Sequence, residues 1–460
     1  MAKATSKALR NQMMYQVFVR NYSPEGTFKK VEERLDEIKA LGTDIIWLMP
    51  IHPIGTVKRK GSLGSPYAIS DYRAVNLEFG TMEDFKSLVK EIHARGMKCI
   101  IDVVYNHTSP DSLLSKEHPE WFYHKEDGSF GNRVGDWTDI IDLDYGNRDL
   151  WDYQIETLKM WAEIVDGFRC DVAPLIPLEF WLKARAEVET VRPGCIWLSE
   201  SVEPGFITYM RGRGITALSD SEIYQAFDLC YDYDVYEKFR AYLAGKGTLA
   251  AYAEAIERQE YIYPENFVKL RFLENHDQTR AAFLIPDENA LVNWTAFSFF
   301  QKGLTLVYAG QEYGAEHTPS LFDKDDVFSE DENDIRLRAQ AYAVEAVPDG
   351  DGVTATAVQR EGAEQELRSL MQKLAGIKRD PLFTDSVYTV KAQEDRFLIA
   401  AHEKDGRRAI GVFTVKGGAG YVEVDFPDGV YDNLIGGEKV EVFRGGVSCH
   451  GNPIILIREE

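Results

Sequence analysis

The chain has 460 residues, of which 44% are hydrophobic, with a formal net charge of −23 and an isoelectric point near 4.9. Such a negative charge repels phosphate backbones and anionic lipids, so the composition disfavours nucleic-acid and membrane-surface partners and is compatible with a neutral substrate. The length suggests about three domains, although one (β/α)8 barrel can use about 250 residues or more.

The N-terminal segment, residues 1–16, contains basic side chains but no apolar stretch of the length that a secretory signal requires. No run of about 18 apolar residues occurs in the sequence, so we expect a cytoplasmic protein. The five cysteines are an odd number without CxxC spacing. We therefore expect them to be reduced and structural, with no metal or redox role.

Short apolar segments alternate with amphipathic helical stretches over most of the chain, which favours a parallel sheet with helices outside it. Residues 98–106 are almost continuously apolar, as in a strand that is buried on both faces. The preceding stretch, residues 81–96, begins with a threonine cap, carries one apolar stripe and ends at a glycine. The two segments predict one helix-to-strand unit.

This periodicity is lost between residues 108 and 148, where aromatic side chains such as Trp121 and Trp137 lie among many charges. A loop of this length inside a compact domain is usually functional. Its aromatic side chains could stack on sugar rings or form a small core of their own, and the sequence leaves both interpretations open.

The second half continues with strand-like and helical segments up to a helix predicted over Gln365–Arg379. Beyond it, alternating apolar and polar residues separated by Gly, Asp and Pro predict an antiparallel β domain. Residues 336–362 show no clear period, so we expect an exposed loop or an added hairpin there, without a functional assignment.

Three acidic residues, Asp171, Glu200 and Asp277, follow apolar runs that read as consecutive strands. Taken singly, each could be a solvated carboxylate or a helix cap. Together they fit the cleavage of a glycosidic bond, because a retaining glycosidase needs one carboxylate nucleophile and one carboxylic acid about 5–5.5 Å apart. Active sites of (β/α)8 barrels lie at the C-terminal ends of the strands, where these acids are expected.

Four segments that include these acids resemble, in order and spacing, the signature regions of the alpha-amylase family of glycoside hydrolases, glycoside hydrolase family 13. They are DVVYNH (102–107), GFRCDVAP (167–174), WLSE (197–200) and FLENHD (272–277). Four further segments resemble the first, second and eighth barrel strands and a loop with a sugar-stacking tyrosine: residues 14–23, 42–53, 303–314 and 65–73. The intracellular alpha-amylases of bacteria are the most similar group.

The resemblance implies a (β/α)8 TIM barrel with a small inserted domain B and a C-terminal antiparallel β domain. The corresponding boundaries are 1–107 and 149–382 for the two parts of the barrel, 108–148 for domain B and 383–460 for a C-terminal β-sandwich. By resemblance, Asp171 is the nucleophile, Glu200 the general acid/base and Asp277 the residue that binds sugar hydroxyls and helps to distort the ring. The substrate-binding residues it implies are Tyr67, His107, Arg169 and His276.

Physical chemistry is consistent with these roles. Glu200 must be protonated to act as an acid, which an apolar setting beside Trp197 and Leu198 and neighbouring carboxylates would favour. Asp171 must stay ionised, and Arg169 is expected on the same face of its strand, where it can supply a charge and a hydrogen bond.

The resemblance fails at one point that concerns metal binding. Many alpha-amylases carry Lys-His three and four residues after the nucleophile, where this chain has Pro174 and Leu175. Asn106 and Asp142 match positions of calcium ligands, but two donors fall short of the roughly six to eight oxygens that calcium prefers. We therefore expect no required cofactor or metal, with a structural calcium as the alternative.

The predicted function is retaining hydrolysis of α-1,4-glucosidic bonds in maltodextrins, glycogen or starch fragments. The alternatives are an α-glucan transglycosylase or trehalose-forming isomerase with the same acids, and a catalytically inactive carbohydrate-binding relative. The sequence does not indicate an oligomeric state, and it predicts that the aromatic residues around Trp121 and Trp137 form a short run of sugar subsites.

Overall fold

The computed structural model of the protein describes residues 5–135, 137–328 and 355–459. Its centre is a closed barrel of eight parallel strands. The strands are Met13–Val17, Ile45–Leu48, Lys98–Val103, Gly167–Cys170, Ile196–Ser199, Leu229–Tyr231, Val268–Arg271 and Leu304–Tyr308. The first strand pairs with the last, with Met13 opposite Thr305, and this pairing closes the barrel. The predicted (β/α)8 barrel is confirmed.

Helices follow the barrel strands and cover them from outside. The α-helices of the described residues are Phe28–Glu33, Leu35–Ala40, Met82–Ala94, Leu113–Glu117, Arg148–Ala162, Leu178–Glu189, Pro204–Gly212, Asp220–Ile223, Tyr233–Leu243, Leu249–Ile262, Ala281–Leu284, Glu288–Phe300 and Ala355–Lys378. The predicted capping at Thr81 is present, because its side chain and that of Asp84 form a reciprocal capping box.

The segment between the third and fourth barrel strands protrudes as a small unit. His107–Thr108 pairs with Ile141–Asp142 in a two-stranded antiparallel sheet, and a helical turn, Pro119–Trp121, lies between them. Trp121 is only 6% exposed and its ring stacks on that of His118. The prediction that Trp121 contributes a sugar subsite is therefore wrong, because its ring is used in packing this unit.

The C-terminal part consists of two four-stranded antiparallel sheets, as predicted in kind. The first sheet contains Val387–Gln393, Phe397–Lys404, Arg407–Thr414 and Ile454–Arg458, and the second contains Gly420–Glu423, Gly446–Cys449, Lys439–Phe443 and Gly429–Asp432. Apolar side chains of both sheets form a core separate from that of the barrel. The predicted boundary at residue 383 coincides with the end of the short helix Pro381–Phe383.

The loop or hairpin predicted over residues 336–362 falls mostly outside the described residues. Its last part, from Ala355, is helical and belongs to the helix Ala355–Lys378, so that part of the prediction is wrong. The helix also begins ahead of the predicted start at Gln365. Alanine and glutamate have high helix propensity, so they can form a helix even where the sequence shows no apolar stripe. The missing stripe is why the sequence did not predict this start.

All five cysteines are buried and none forms a disulfide. Burial raises the pKa of the Cys99 and Cys170 thiols well above their usual range, which keeps both sulfurs protonated and unreactive. Within the described residues, no helix combines the length and hydropathy needed to cross a bilayer.

Candidate active site

The three predicted acids lie on the side of the barrel where the strands end. Asp171 directly follows the fourth strand and Glu200 directly follows the fifth. Asp277 lies further on, in the turn after the seventh strand, so it does not end the strand as the sequence suggested. The Asp171 side chain is 9% exposed and that of Asp277 is 37% exposed. The nucleophile candidate is thus enclosed, and Asp277 faces the opening.

Arg169 joins the carboxylates from inside the barrel, where it is fully buried. Its Nη1 donates to Asp171 Oδ1 at 2.9 Å and to Asp102 Oδ1 at 2.8 Å. Its Nη2 lies 3.0 Å from Glu200 Oε2. A buried guanidinium needs anionic partners, and this one has three rather than the single partner Asp171 that the sequence analysis assigned to it.

Asp102 is the acidic residue that sequence reasoning missed. It is completely buried and lies opposite Arg169 in the register of the third and fourth strands. Burial raises its pKa to about 6, while the charge and hydrogen bond of Arg169 oppose the rise. The available signal was an ionisable residue in the interior of an otherwise apolar strand, which needs a partner inside the barrel.

Glu200 is held by the backbone that follows the nucleophile. The N–H of Val172 donates to Glu200 Oε2 at 2.7 Å, which leaves Oε1 for the cleft. Val172 has a φ of 35° and a ψ of 42°, a left-handed conformation that a β-branched residue rarely adopts. The neighbouring Trp197 does not supply the apolar setting we expected, because its ring contacts Trp181 on a helix and Phe227 in the loop before the sixth barrel strand.

The pKa values of the two candidate catalytic acids are displaced to different extents. Burial, together with the nearby charges of Asp171 and Asp277, raises the pKa of Glu200 to about 8 against the opposing charge of Arg169. Burial raises the pKa of Asp171 to about 6, with Arg169 opposing it directly. Glu200 therefore keeps its proton in a pH range where Asp171 is ionised, which is the division that acid and nucleophile require.

A chain of hydrogen bonds orders the residues around Asp277. Gln16 Nε2 donates to His276 Nδ1 at 2.6 Å, so the imidazole proton lies on Nε2, which is 2.6 Å from the Tyr67 hydroxyl and 3.0 Å from Asp277 Oδ2. The Tyr67 hydroxyl donates to Asp102 at 3.1 Å. Burial acts to raise the pKa of Asp277, but the hydrogen bond from His276 and the positive charge of Arg169 contribute to a net lowering of that pKa.

Tyr67 and His107 border the same space. One face of the half-buried Tyr67 ring stacks on His276 at 5.5 Å between centroids. His107 Nε2 is 3.9 Å from Asp171 Oδ2, and its ring lies against that of the half-buried Trp137. Burial lowers the pKa of His107 to about 4, so it is a neutral hydrogen-bonding group near pH 7. The structure thus brings all seven predicted site residues together.

Of the two predicted calcium ligands, Asp142 fits a calcium ion poorly. Asp142 accepts the backbone N–H of Arg133 at 2.7 Å, and the Arg133 guanidinium is 3.8 Å away, so a cation already faces this carboxylate. Its Oδ1 is buried without a hydrogen bond. Among the described residues, no three His, Cys, Asp or Glu side chains cluster as metal ligands would. Calcium binding by Asn106 and Asp142 stays a prediction.

Fold and site define an enzyme-like (β/α)8 barrel with acids at the C-terminal ends of its strands. The alpha amylase catalytic domain matches residues 16–383, and the bacterial alpha amylase C-terminal domain matches residues 389–456. The chain therefore belongs to the alpha-amylase family, glycoside hydrolase family 13.

Two solved structures match almost the whole chain. An alpha-amylase from Lactobacillus plantarum is 45% identical with a TM-score of 0.88, covering 98% of this chain and 100% of that one. A maltogenic alpha-amylase from Thermotoga neapolitana is 32% identical with a TM-score of 0.80 and the same coverage.

Curated relatives match over shorter stretches. An alpha-amylase from Haloarcula japonica is 27% identical over 66% of this chain and 44% of that protein. An alpha-1,4-glucan:maltose-1-phosphate maltosyltransferase from Rhodospirillum rubrum is 36% identical over 38% of this chain and 28% of that protein. The chain thus spans less than half the length of these relatives, which carry different activities.

Proposed function

We propose that this protein is a retaining glycoside hydrolase that cleaves α-1,4-glucosidic bonds in maltodextrins, glycogen or starch fragments. The observation that carries the proposal is the pair of carboxyl groups, Asp171 and Glu200, held by one buried guanidinium with the pKa of Glu200 raised above that of Asp171. Membership of the alpha-amylase family supports an α-glucan as the substrate.

In the first step, Asp171 attacks the anomeric carbon and the glycosidic C–O bond breaks. The free oxygen of Asp171 is Oδ2, because Oδ1 is bound to Arg169. Glu200 gives its proton to the leaving oxygen from Oε1, since Oε2 accepts the Val172 N–H. The product is a glycosyl ester on Asp171 and a shortened glucan with a new hydroxyl group.

In the second step, Glu200 is ionised and takes a proton from water as the water oxygen attacks the same carbon. The ester bond breaks, Asp171 leaves as a carboxylate, and Glu200 regains its proton. Tyr67, His107, His276 and Asp277 surround the reacting ring in this proposal and bind it by stacking and by hydrogen bonds to its hydroxyls.

Transglycosylation is the second candidate, because several relatives similar to parts of this chain are maltosyltransferases. It differs only in the second step, where a sugar hydroxyl replaces water. A catalytically inactive relative is less consistent with the site, since all three acids and Arg169 are present.

The test combines covalent trapping and product analysis. A fluorinated glucosyl substrate should label the peptide that contains Asp171, and NMR should detect products that keep the α-anomeric configuration. Maltoheptaose should then be digested with and without an added glucose acceptor. Elongated products at the expense of hydrolysis would favour a transferase, and label on another carboxylate or inverted products would overturn the mechanism. An inactive relative would give neither label nor products.

A further inference from the structure

A surface arm lies in the chain between the second barrel strand and the helix Met82–Ala94. It comprises residues 54–69 and is closed at its base by the antiparallel bridge between Ile54 and Ile69. The Gly55 N–H donates to the Ala68 carbonyl at 2.9 Å. Tyr67 lies near the base of this arm, so the position of the arm bears on a residue that borders the candidate site.

The tip of the arm is tied to the segment that follows the eighth barrel strand. The backbone N–H and the hydroxyl of Ser62 both donate to Asp323 Oδ1, at 2.8 and 2.7 Å. The Leu63 N–H donates to the Phe322 carbonyl at 2.9 Å. Gly61 has a φ of 60°, and a Cβ there would approach Phe322 within 2.6 Å, so the two segments are in close contact.

A single long side chain ties the tip to the protruding unit between the third and fourth strands. Lys60 Nζ is 2.8 Å from Asp139 Oδ1, where the Lys60 side chain is 37% exposed and the Asp139 side chain 6%. A buried carboxylate requires a partner. Among the described residues, Lys60 is the cationic side chain within ion-pair distance of Asp139.

Asp139 lies near His107, which borders the candidate site. It is two positions from Trp137, whose ring lies 5.5 Å from that of His107, and His107 is 3.9 Å from Asp171. The Lys60–Asp139 ion pair therefore joins the arm to the protruding unit beside the cleft.

We propose that the Lys60–Asp139 ion pair closes the cleft on the side of the arm and limits how many glucose units can lie there. The proposal deepens the proposed function and rests on it. Lys60 is then a positioning residue that sets which bond of an α-1,4-glucan is cut, without touching the reacting atoms. If the cleft is closed on the side of the arm, cleavage falls near one end of the glucan and the products are short.

The experiment uses full-length protein and maltoheptaose labelled at its reducing end, with each bond's cleavage frequency measured at early conversion. The wild-type protein should cut mainly near one end. Lys60→Met removes the charge but keeps most of the length, so cleavage should spread to internal bonds, and the ratio of kcat/KM on soluble starch to that on maltotriose should rise about threefold or more. Lys60→Arg keeps the cation and should retain the wild-type pattern.

The matched control is Lys58→Met, since Lys58 is an exposed lysine of the same arm and should leave the pattern unchanged. If Lys60→Met does not fold, Asp139→Asn removes the ion pair without leaving a buried unpaired carboxylate and should spread cleavage in the same way. A Lys60→Met or Asp139→Asn variant that cuts like the wild type would overturn the inference alone. A wild-type protein inactive on maltoheptaose and on an aryl maltoside would instead overturn the proposed function.

Discussion

At the scale of residues, one buried guanidinium organises the candidate chemistry. Arg169 contacts Asp102 and Asp171 directly and lies within 3.0 Å of Glu200, so its charge acts on three carboxyl groups at once. The three differ in how far burial prevails over that charge, and Glu200 has the highest pKa of the three. Three carboxyl groups thus differ in pKa because their surroundings differ.

The first prediction concerns the pH dependence of kcat/KM. Activity should rise as the pH passes about 6, where Asp171 ionises, and fall above about 8, where Glu200 loses its proton. Because the groups interact, both limits belong to the coupled set of carboxyl groups. Glu200→Gln should remove the upper limit. It should also lower the rate of cleavage far more for natural glucans than for substrates with a good leaving group. An upper limit that persists in this variant would exclude Glu200 as the acid.

The second prediction concerns Arg169→Lys. Lysine keeps the positive charge but lacks the planar fork that reaches Asp171 and Glu200 together. We expect kcat to fall about 100-fold, because small displacements of catalytic groups are costly. The lower limit of the pH profile should also move to higher pH, as Asp171 loses a hydrogen bond that favours its charged form. A loss of stability with an unchanged pH profile would limit Arg169 to a structural role.

At the scale of elements, the unit between the third and fourth barrel strands uses its two tryptophans differently. Trp121 is buried in the unit, whereas the half-buried Trp137 lies against His107. The packing interpretation therefore applies to Trp121, and the sugar-stacking interpretation stays a prediction for Trp137.

The third prediction compares these residues. Trp121→Ala should lower the free energy of unfolding by about 3–5 kcal/mol, as expected for a buried tryptophan. Trp137→Ala should raise KM for maltotriose and leave the melting temperature nearly unchanged. Thermal denaturation followed by circular dichroism, together with kinetics on maltotriose, separates the two effects. Equal losses of stability in both variants would show that Trp137 also belongs to the core of the unit.

The sequence predicted those features that depend on local pattern. Acidic residues at the ends of apolar runs predicted the positions of Asp171 and Glu200. The capping pattern predicted the helix that starts after Thr81. Asp102 was missed because its partner Arg169 is on another strand, and only the barrel register brings them together. Trp121 and Trp137 have the same local signals, and tertiary packing alone distinguishes them.

At the scale of the whole molecule, the C-terminal sheets are joined to the barrel by an apolar contact. Phe413 is fully buried, and its ring lies 5.4 and 5.6 Å from those of Phe297 and Phe300 on a barrel helix. His402 reinforces this contact through the Phe300 carbonyl at 2.8 Å. A buried hydrophobic interface of this kind couples the unfolding of two domains.

The fourth prediction follows from this coupling. Phe413→Ala should lower the free energy of unfolding by about 3–5 kcal/mol, and calorimetry should still show one transition for barrel and sheets together. Phe443→Ala is the matched control in the same domain, because Phe443 is 53% exposed on the second sheet, and it should have little effect. Two separate transitions in the wild-type protein would show that the domains unfold independently.

The pairing that closes the barrel also bears on how the chain is made. Met13–Val17 leaves the ribosome before its partner Leu304–Tyr308, which is synthesised only after most of the catalytic domain. Until then one edge of the first strand has no partner, and unpaired edges promote association between chains. Nascent chains that stop before residue 304 are therefore expected to depend on chaperones. Chains that extend beyond the eighth strand should no longer need them.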